Sequence, residues 1–369
     1  MDKESADVSG GGIFVPKFLK ILLIVVLVLV ILVFAVAFPI VSISVYDSIF
    51  KVRIQTPPHV VFTADDYEGL TVENVSFATK QGHNLAGYKY RMEETDAPKG
   101  VVVLAHGFGG GGHCGYMPVI EYFARNGYAV FSYDATGNDA SEGEYVGGFP
   151  QGVIDLDYAV QFVKNDADYS GLPIFLVGHS WGAYSVGNVL NIHTDIRGAA
   201  MFAGFNESKL LIRQTGLEYV GGLVDLMLPY VQAYEWIKFG EHALTTANEG
   251  FSAAENAEIM IIHSKDDGVV RQENGYDLFM EEHGENPRVH FALYDDRGHD
   301  YLFYNSETMA ERMVIDVDYD FYLTDNGLEN TDENRAAFRK ESIDYSVYYK
   351  MDDEIMGQVL AMFDSKIDG

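Results

Sequence analysis

The hydrophobic positions change rhythm along the chain, and the first rhythm is no rhythm at all. Residues 21–41 read "ILLIVVLVLVILVFAVAFPIV", an unbroken uncharged run. It is long enough to cross a bilayer as a helix. It lacks the polar face that an amphipathic helix of a soluble domain keeps. Lys17 and Lys20 precede it closely and Lys51 and Arg53 follow at a distance, which predicts an N-terminus inside and the larger part of the chain outside. A signal peptide cut after Ala35-Val36-Ala37, with secretion as its result, is the alternative. The polar segment 1–20 and the apolar residues beyond that cut favour a retained single-pass anchor in the cell membrane. Residues 42–70 read as a linker.

From residue 71 the pattern shortens and alternates. "VENVSFATKQGHNLAGYKYR" (72–91) predicts two strands joined by a turn at Gln81-Gly82-His83-Asn84. "GVVVLAHG", "YAVFSYD", "LPIFLVGHS", "IRGAAMFAGF", "AEIMIIHSKDD" and "RVHFALYDDRGH" each hold a short continuous apolar run, the mark of a strand buried on both faces. "MPVIEYFARNG" and "GVIDLDYAVQFVKND" between them have helical spacing. Strands alternating with helices predict an α/β domain over 71–369, with a mostly parallel sheet covered by helices on both faces. Residues 205–255 break the alternation. They have helical spacing at Val220, Leu223, Val224 and Met227 and predict a helical cap inserted between two strands. Residues 301–369 are acidic and aromatic, with a helix expected from about Ser342 to Lys366. The stretch "DVDYDFYLTDNGLE" fails as a calcium loop because Phe321 stands where that loop needs glycine.

Composition narrows the partners. The net charge of −30 over 369 residues excludes a nucleic-acid binder, which needs a basic footprint. It also argues against an anionic bilayer as a docking surface for the soluble part. Cys114 is the only cysteine, so no intramolecular disulfide framework exists. No oligomeric state follows from the sequence.

Candidate chemistry centres on "VGHSWGAYS" (177–185). Gly-x-Ser-x-Gly occurs by chance, but here it follows a buried strand and precedes a helix-compatible stretch. That context predicts a nucleophile elbow, with Ser180 presented above the sheet on a sharp turn. Such a serine needs a base, and the chain order should then be serine, acid, histidine. His299 stands in the loop after the last predicted strand and is the expected base; His179, beside the serine, is expected to pack in the elbow. Two aspartates, Asp266 and Asp267, end the preceding strand, and Asp267 is the expected acid, with Asp266 left to cap the loop or face water. The loop "HGFGGGG" (106–112) can turn amides inward, so the N–H groups of Phe108 and Trp181 are the expected oxyanion donors. The Trp181 indole and the cap residues Leu210, Leu211, Val220 and Leu223 are candidates for an acyl pocket; packing of the cap on the domain is the equal alternative for the cap residues. The glycine-rich loop lacks the Lys-Ser/Thr ending of a phosphate loop. His106, His113 and Cys114 lack a second ligand pair with structural-zinc spacing. No metal and no cofactor is expected.

In their order, "AHGFGG", "YDATGNDASEGEY", "GHSWG", "HSKDDGVV" and "RGH" resemble the α/β-hydrolase superfamily, in particular its monoacylglycerol-lipase-like and serine-aminopeptidase-like serine hydrolases. The resemblance covers about residues 70–300 and the terminal helix. It implies the α/β-hydrolase fold with a helical cap, here preceded by one transmembrane helix. It also implies hydrolysis of a small carboxylic ester by Ser180, His299 and Asp267 through an acyl-enzyme. Peptide or amide cleavage on the same fold, and a non-catalytic binding role, are the alternatives. One motif departs from the family. Where the family reads Asp-x-x-Gly-x-Gly-x-Ser, this chain has Asn138-Asp139-Ala140 in the middle.

Overall fold

A computed structural model describes residues 16–80 and 82–367. Residues 1–15 of the N-terminal polar segment and Gln81 of the expected hairpin turn lie outside the described residues. The apolar run is helical and continues beyond its expected end. α1 (Lys17–Leu32), one π turn (Val33–Ala37) and α2 (Phe38–Phe50) form a continuous helix of 34 residues, about 51 Å at 1.5 Å per residue. A hydrocarbon core of about 30 Å would take only about 20 of these residues, which leaves roughly four turns. Every side chain of α1 is exposed, whereas Ser42, Tyr46 and Phe50 of α2, four residues apart, are buried against the rest of the protein.

Residues 42–70 are therefore not a free linker. Beyond the helix, Phe62, Ala64 and Tyr67 are buried, and the rings of Phe62 and Tyr67 pack on Tyr348 and Tyr349. These anchors are spaced irregularly, so no helical or strand period announces them.

Then come β1 (Leu70–Ala78) and β2 (Asn84–Met92), an antiparallel pair, and β3 (Val101–Ala105). The βα units follow as α3 (Met117–Arg125), β4 (Ala129–Tyr133), α4 (Phe149–Asn165), β5 (Ile174–His179), α5 (Trp181–Val189) and β6 (Gly198–Phe202). Three helices, α6 (Ser208–Val220), α7 (Val224–Phe239) and α8 (Ala247–Ala253), intervene before β7 (Glu258–Ser264). α9 (Tyr276–His283) and β8 (Val289–Tyr294) complete an eight-stranded sheet in the order β1-β2-β4-β3-β5-β6-β7-β8. β3 to β8 are mutually parallel, and only β1 and β2 run against their neighbours. Successive side chains of a strand point to opposite faces, so β3 sends Val101, Val103 and Ala105 to one core and Val102 and Leu104 to the other. α4 and α5 cover the first core; α3 and the C-terminal helices cover the second.

The structure corrects two helical readings. Val220, Leu223, Val224 and Met227 do not share one helix, because α6 ends at Val220 and Gly221 takes φ +57 before α7 begins. That left-handed turn is cheap only for glycine. The C-terminal stretch holds α10 (Ser306–Asn326), α11 (Asp332–Ser342), α12 (Tyr345–Tyr348) and α13 (Asp353–Asp364) rather than one helix from Ser342. Asp352 starts a new helix, its carboxylate accepting from the amides of Glu354 and Ile355. Most of the acidic stretch that invited a calcium loop lies within α10.

Candidate active site

Ser180 is the single residue between β5 and α5. Its backbone takes φ +54 and ψ −115, a region costly for any side-chain-bearing residue and typical of functional turns. The turn closes because its two flanking glycines carry no side chain. A Cβ on Gly178 would lie 2.4 Å from the Gly182 carbonyl carbon, and one on Gly182 would lie 2.0 Å from the Ala105 oxygen. The Ser180 amide donates to the Phe202 carbonyl at 2.8 Å, which pins the turn to β6. Trp181 opens α5, where the first amides have no acceptor within the helix.

Asp267 and His299 meet across the ends of β7 and β8. His299 Nδ1 donates to Asp267 Oδ2 at 2.8 Å, and Asp267 Oδ1 accepts from the amides of Val269 and Val270 at 2.9 and 2.8 Å. Burial pushes the Asp267 carboxyl up, but the hydrogen bond and charge of His299 and the Val270 amide outweigh it and hold it below its ordinary value. Asp266 does something else. Its Oδ1 accepts from Ser264 Oγ at 2.5 Å and from the Gly298 amide at 2.8 Å. One aspartate holds the imidazole and the other holds the loop that carries it.

A third tie passes through His179. Its Nε2 lies 2.9 Å from the His299 carbonyl oxygen, and its Nδ1 lies 2.8 Å from Tyr116 Oη, which accepts from the Gly107 amide at 2.9 Å. A carbonyl can only accept, so Nε2 carries the proton and Nδ1 accepts from the tyrosine. Burial first, and then the neighbouring His299, hold His179 down to about 4, so the ring stays neutral in this role. One imidazole thus joins the residue before Ser180, the loop of His299 and the glycine-rich loop at Gly107. Sequence reasoning placed His179 as packing in the elbow and did not find Tyr116, whose motif "HCGY" carries no signal of its own.

Phe108 follows Gly107. Its ring stands edge-on to Trp181 and lies against Phe50 and Phe149. The Trp181 indole, however, is buried in the core with Nε1 donating to the Phe149 carbonyl at 2.8 Å, so it does not wall a pocket. A cavity of about 500 Å³ lies farther out. Ile212, Val220, Met227 and Val231 line it from the cap, and Tyr46, Ile49 and Phe50 line it from α2. Of the four expected cap residues only Val220 lines it. Leu211 is buried in the core and Leu223 is exposed, because the break at Gly221 rotates that turn away.

His106, one of the weighed zinc ligands, has Nδ1 against the Gly107 carbonyl and Nε2 accepting from the Ala135 amide; His113 pairs with Asp134. Among the described residues His179, His299 and Asp300 form the one cluster of metal-ligand type, and both His179 ring nitrogens are already engaged.

Asp139 explains the departing motif. It stands at φ +31, where the family has glycine, and its carboxylate accepts from the Thr56 amide and hydroxyl at 2.6 and 2.5 Å and from the Gly112 amide at 2.9 Å. Arg53 donates to the Asp139 and Gly143 carbonyls at 2.6 and 2.8 Å, and the amides of Val146 and Gly147 donate to Val52 and Phe50.

Residues 96–233 match the family described as Hydrolase_4, serine aminopeptidase, S33. The chain is 39% identical over 88 residues to a monoglyceride lipase of Rattus norvegicus, across 23% of this chain and 28% of that protein. It is 38% identical over 89 residues to a monoglyceride lipase homolog of Monkeypox virus, across 23% and 31%. The chain thus spans about three-tenths of the length of these curated relatives. An esterase of Pyrococcus furiosus superposes with a TM-score of 0.52 at 20% identity, covering 72% of this chain and 96% of the other. A second crystal form of that esterase gives 0.51. This likeness shows the fold.

Proposed function

We propose that this chain, which belongs to the α/β-hydrolase superfamily, is a membrane-anchored serine hydrolase that cleaves carboxylic esters. The observation that carries the reading is the His299–Asp267 pair. With Nδ1–H donated to a carboxylate whose other oxygen holds two amides, the neutral imidazole keeps its Nε2 lone pair free as a base. In this reading Ser180 Oγ attacks the ester carbonyl while His299 Nε2 takes its proton. The amides of Phe108 and Trp181 stabilise the oxyanion. The intermediate collapses, the C–O bond to the alcohol breaks, and His299 returns the proton to the departing alcohol. Water, activated by the same imidazole, then releases the acid and frees Ser180.

The monoglyceride lipases and the esterase among the similar proteins support an ester substrate, and the apolar cavity suits an acyl group. The helix Lys17–Phe50, exposed and apolar through α1, supports the anchor, and the nearer lysines support a domain outside. A peptidase reading has one observation of its own, the aminopeptidase description of the matching family.

A small fluorophosphonate probe tests the assignment on the full chain in detergent. Labelling is expected in the wild type and lost in Ser180→Ala, with p-nitrophenyl ester turnover falling by about 10⁴-fold or more. Equal labelling of both proteins, or of neither, overturns it. Faster release from aminoacyl-naphthylamides than from esters would select the peptidase.

A further inference from the structure

The cavity has two walls of different origin. One is the cap, through α6 and α7. The other is the end of the helix that carries the membrane-length run, through Ser42, Val45, Tyr46, Ile49 and Phe50. The contact is specific: Tyr46 Oη donates to Glu235 at 2.8 Å, Tyr234 Oη donates to Asp47 at 3.0 Å, and Tyr230 Oη donates to the Phe34 carbonyl at 2.6 Å.

Three residues place the mouth. Val45, Ile49 and Tyr219 line the cavity and are also 45%, 42% and 82% exposed, so the cavity meets the surface where helix and cap meet. On the helix side, Val41, Val45 and Ile49 are spaced by four and all exposed, and so form one apolar stripe. That stripe is continuous with the exposed surface of α1 and ends in the cavity. At the inner end, Phe50 and Phe149 line the cavity and both lie against Phe108, which is edge-on to Trp181 beside Ser180.

We infer that α2 is part of the substrate site, and that the cavity takes the single acyl chain of a bilayer-resident ester, entering sideways along Val41, Val45 and Ile49. This rests on the serine ester hydrolase reading above. An acyl chain that moves from lipid along an apolar stripe exposes less of itself to water than one that first leaves the bilayer for solution. A water-soluble ester gains nothing from such a path. The cavity volume falls within the range of small-molecule sites, and its lining is overwhelmingly apolar.

The test uses the full chain in phosphatidylcholine vesicles and compares kcat/KM for dodecanoyl and acetyl esters of one alcohol. The long-to-short ratio is internal to each preparation, so partial loss of active protein cancels. Ile49→Trp fills the mouth and Val45→Asp interrupts the stripe; each is expected to lower the ratio at least tenfold. Val28→Trp, on the exposed surface of α1, is expected to keep the wild-type ratio. Wild-type ratios in both Ile49→Trp and Val45→Asp overturn the inference and leave the ester hydrolase standing. Absence of Ser180-dependent turnover of either ester in the wild type overturns the ester hydrolase itself, and the inference with it.

Discussion

Around Ser180 the side chains are held by hydrogen bonds of fixed direction. Asp267 has both oxygens occupied, Asp266 joins two loops, and His179 joins three. Around the cavity the lining is mostly aliphatic and aromatic, with Ser42, Ser48 and Thr215 among it, and Tyr46, which also lines it, donates its hydroxyl to Glu235. The first region demands particular residue types at particular angles. The second demands only volume and apolarity, so it can be assembled from distant parts of the chain, the long apolar N-terminal helix included. A site can therefore display its chemistry in a motif while its specificity stays hidden in packing.

The sharpest way to press that comparison is within the polar region. Asp267→Asn is expected to lower kcat by about 10⁴-fold, because the amide favours the wrong imidazole tautomer. Asp266→Asn loosens only the loop and is expected to cost less than tenfold. Ester turnover of the two variants measures the difference, and equal losses would erase the division of labour between them. Next in size is the His179 tie. His179→Phe is expected to lower kcat by about 10²-fold through misplacement of His299, with KM little changed; Tyr116→Phe should follow with a smaller loss. A rise in KM at constant kcat in both would assign the tie to binding instead.

The smallest effect belongs to the cavity edge. Glu235 is buried and accepts from Tyr46 and Ser208, and desolvation raises its carboxyl from 4.5 to about 7 in spite of those bonds. A carboxyl raised in the folded state binds its proton more tightly there. Its stabilising contribution is therefore complete below about 4.5 and is lost as pH rises through about 7. The full loss is on the order of 3 kcal/mol at most. Thermal unfolding between pH 5 and pH 8 should show the wild type losing several degrees relative to Glu235→Gln. Parallel curves would show that the carboxylate ionises there without cost.

The same contrast explains what could be read from the chain alone. The central strands were legible because a strand buried on both faces must be apolar throughout, and "VVVLA" and "IFLVG" have no other reading beside their glycines. The elbow was legible because only glycine permits the approaches at 178 and 182. The two aspartates could be ranked by their neighbours, but which oxygen meets which donor depends on how β7 and β8 end in space. The docked part of the helix was hidden by its neighbour. Next to 21 apolar residues, "SISVYDSIF" looks polar, and the four-residue spacing of Ser42, Tyr46 and Phe50 is visible only once a partner surface is in view. Trp181 misled for a related reason: its place beside the serine suggested a pocket wall, whereas its indole N–H needed a buried acceptor and found the Phe149 carbonyl.

The stitching of residues 50–56 to Asp139, Gly143, Val146 and Gly147 leaves no slack between helix and domain. An enzyme on a flexible leash sweeps a volume set by leash length. The anchored enzyme proposed above has no leash, so in a bilayer the tilt of its helix and the height of Ser180 would become a single variable. Helices answer a change in hydrocarbon thickness by tilting. Bilayer thickness would then act as a dial on how far the serine stands from the lipid, and esterase activity would report the thickness of the membrane around it.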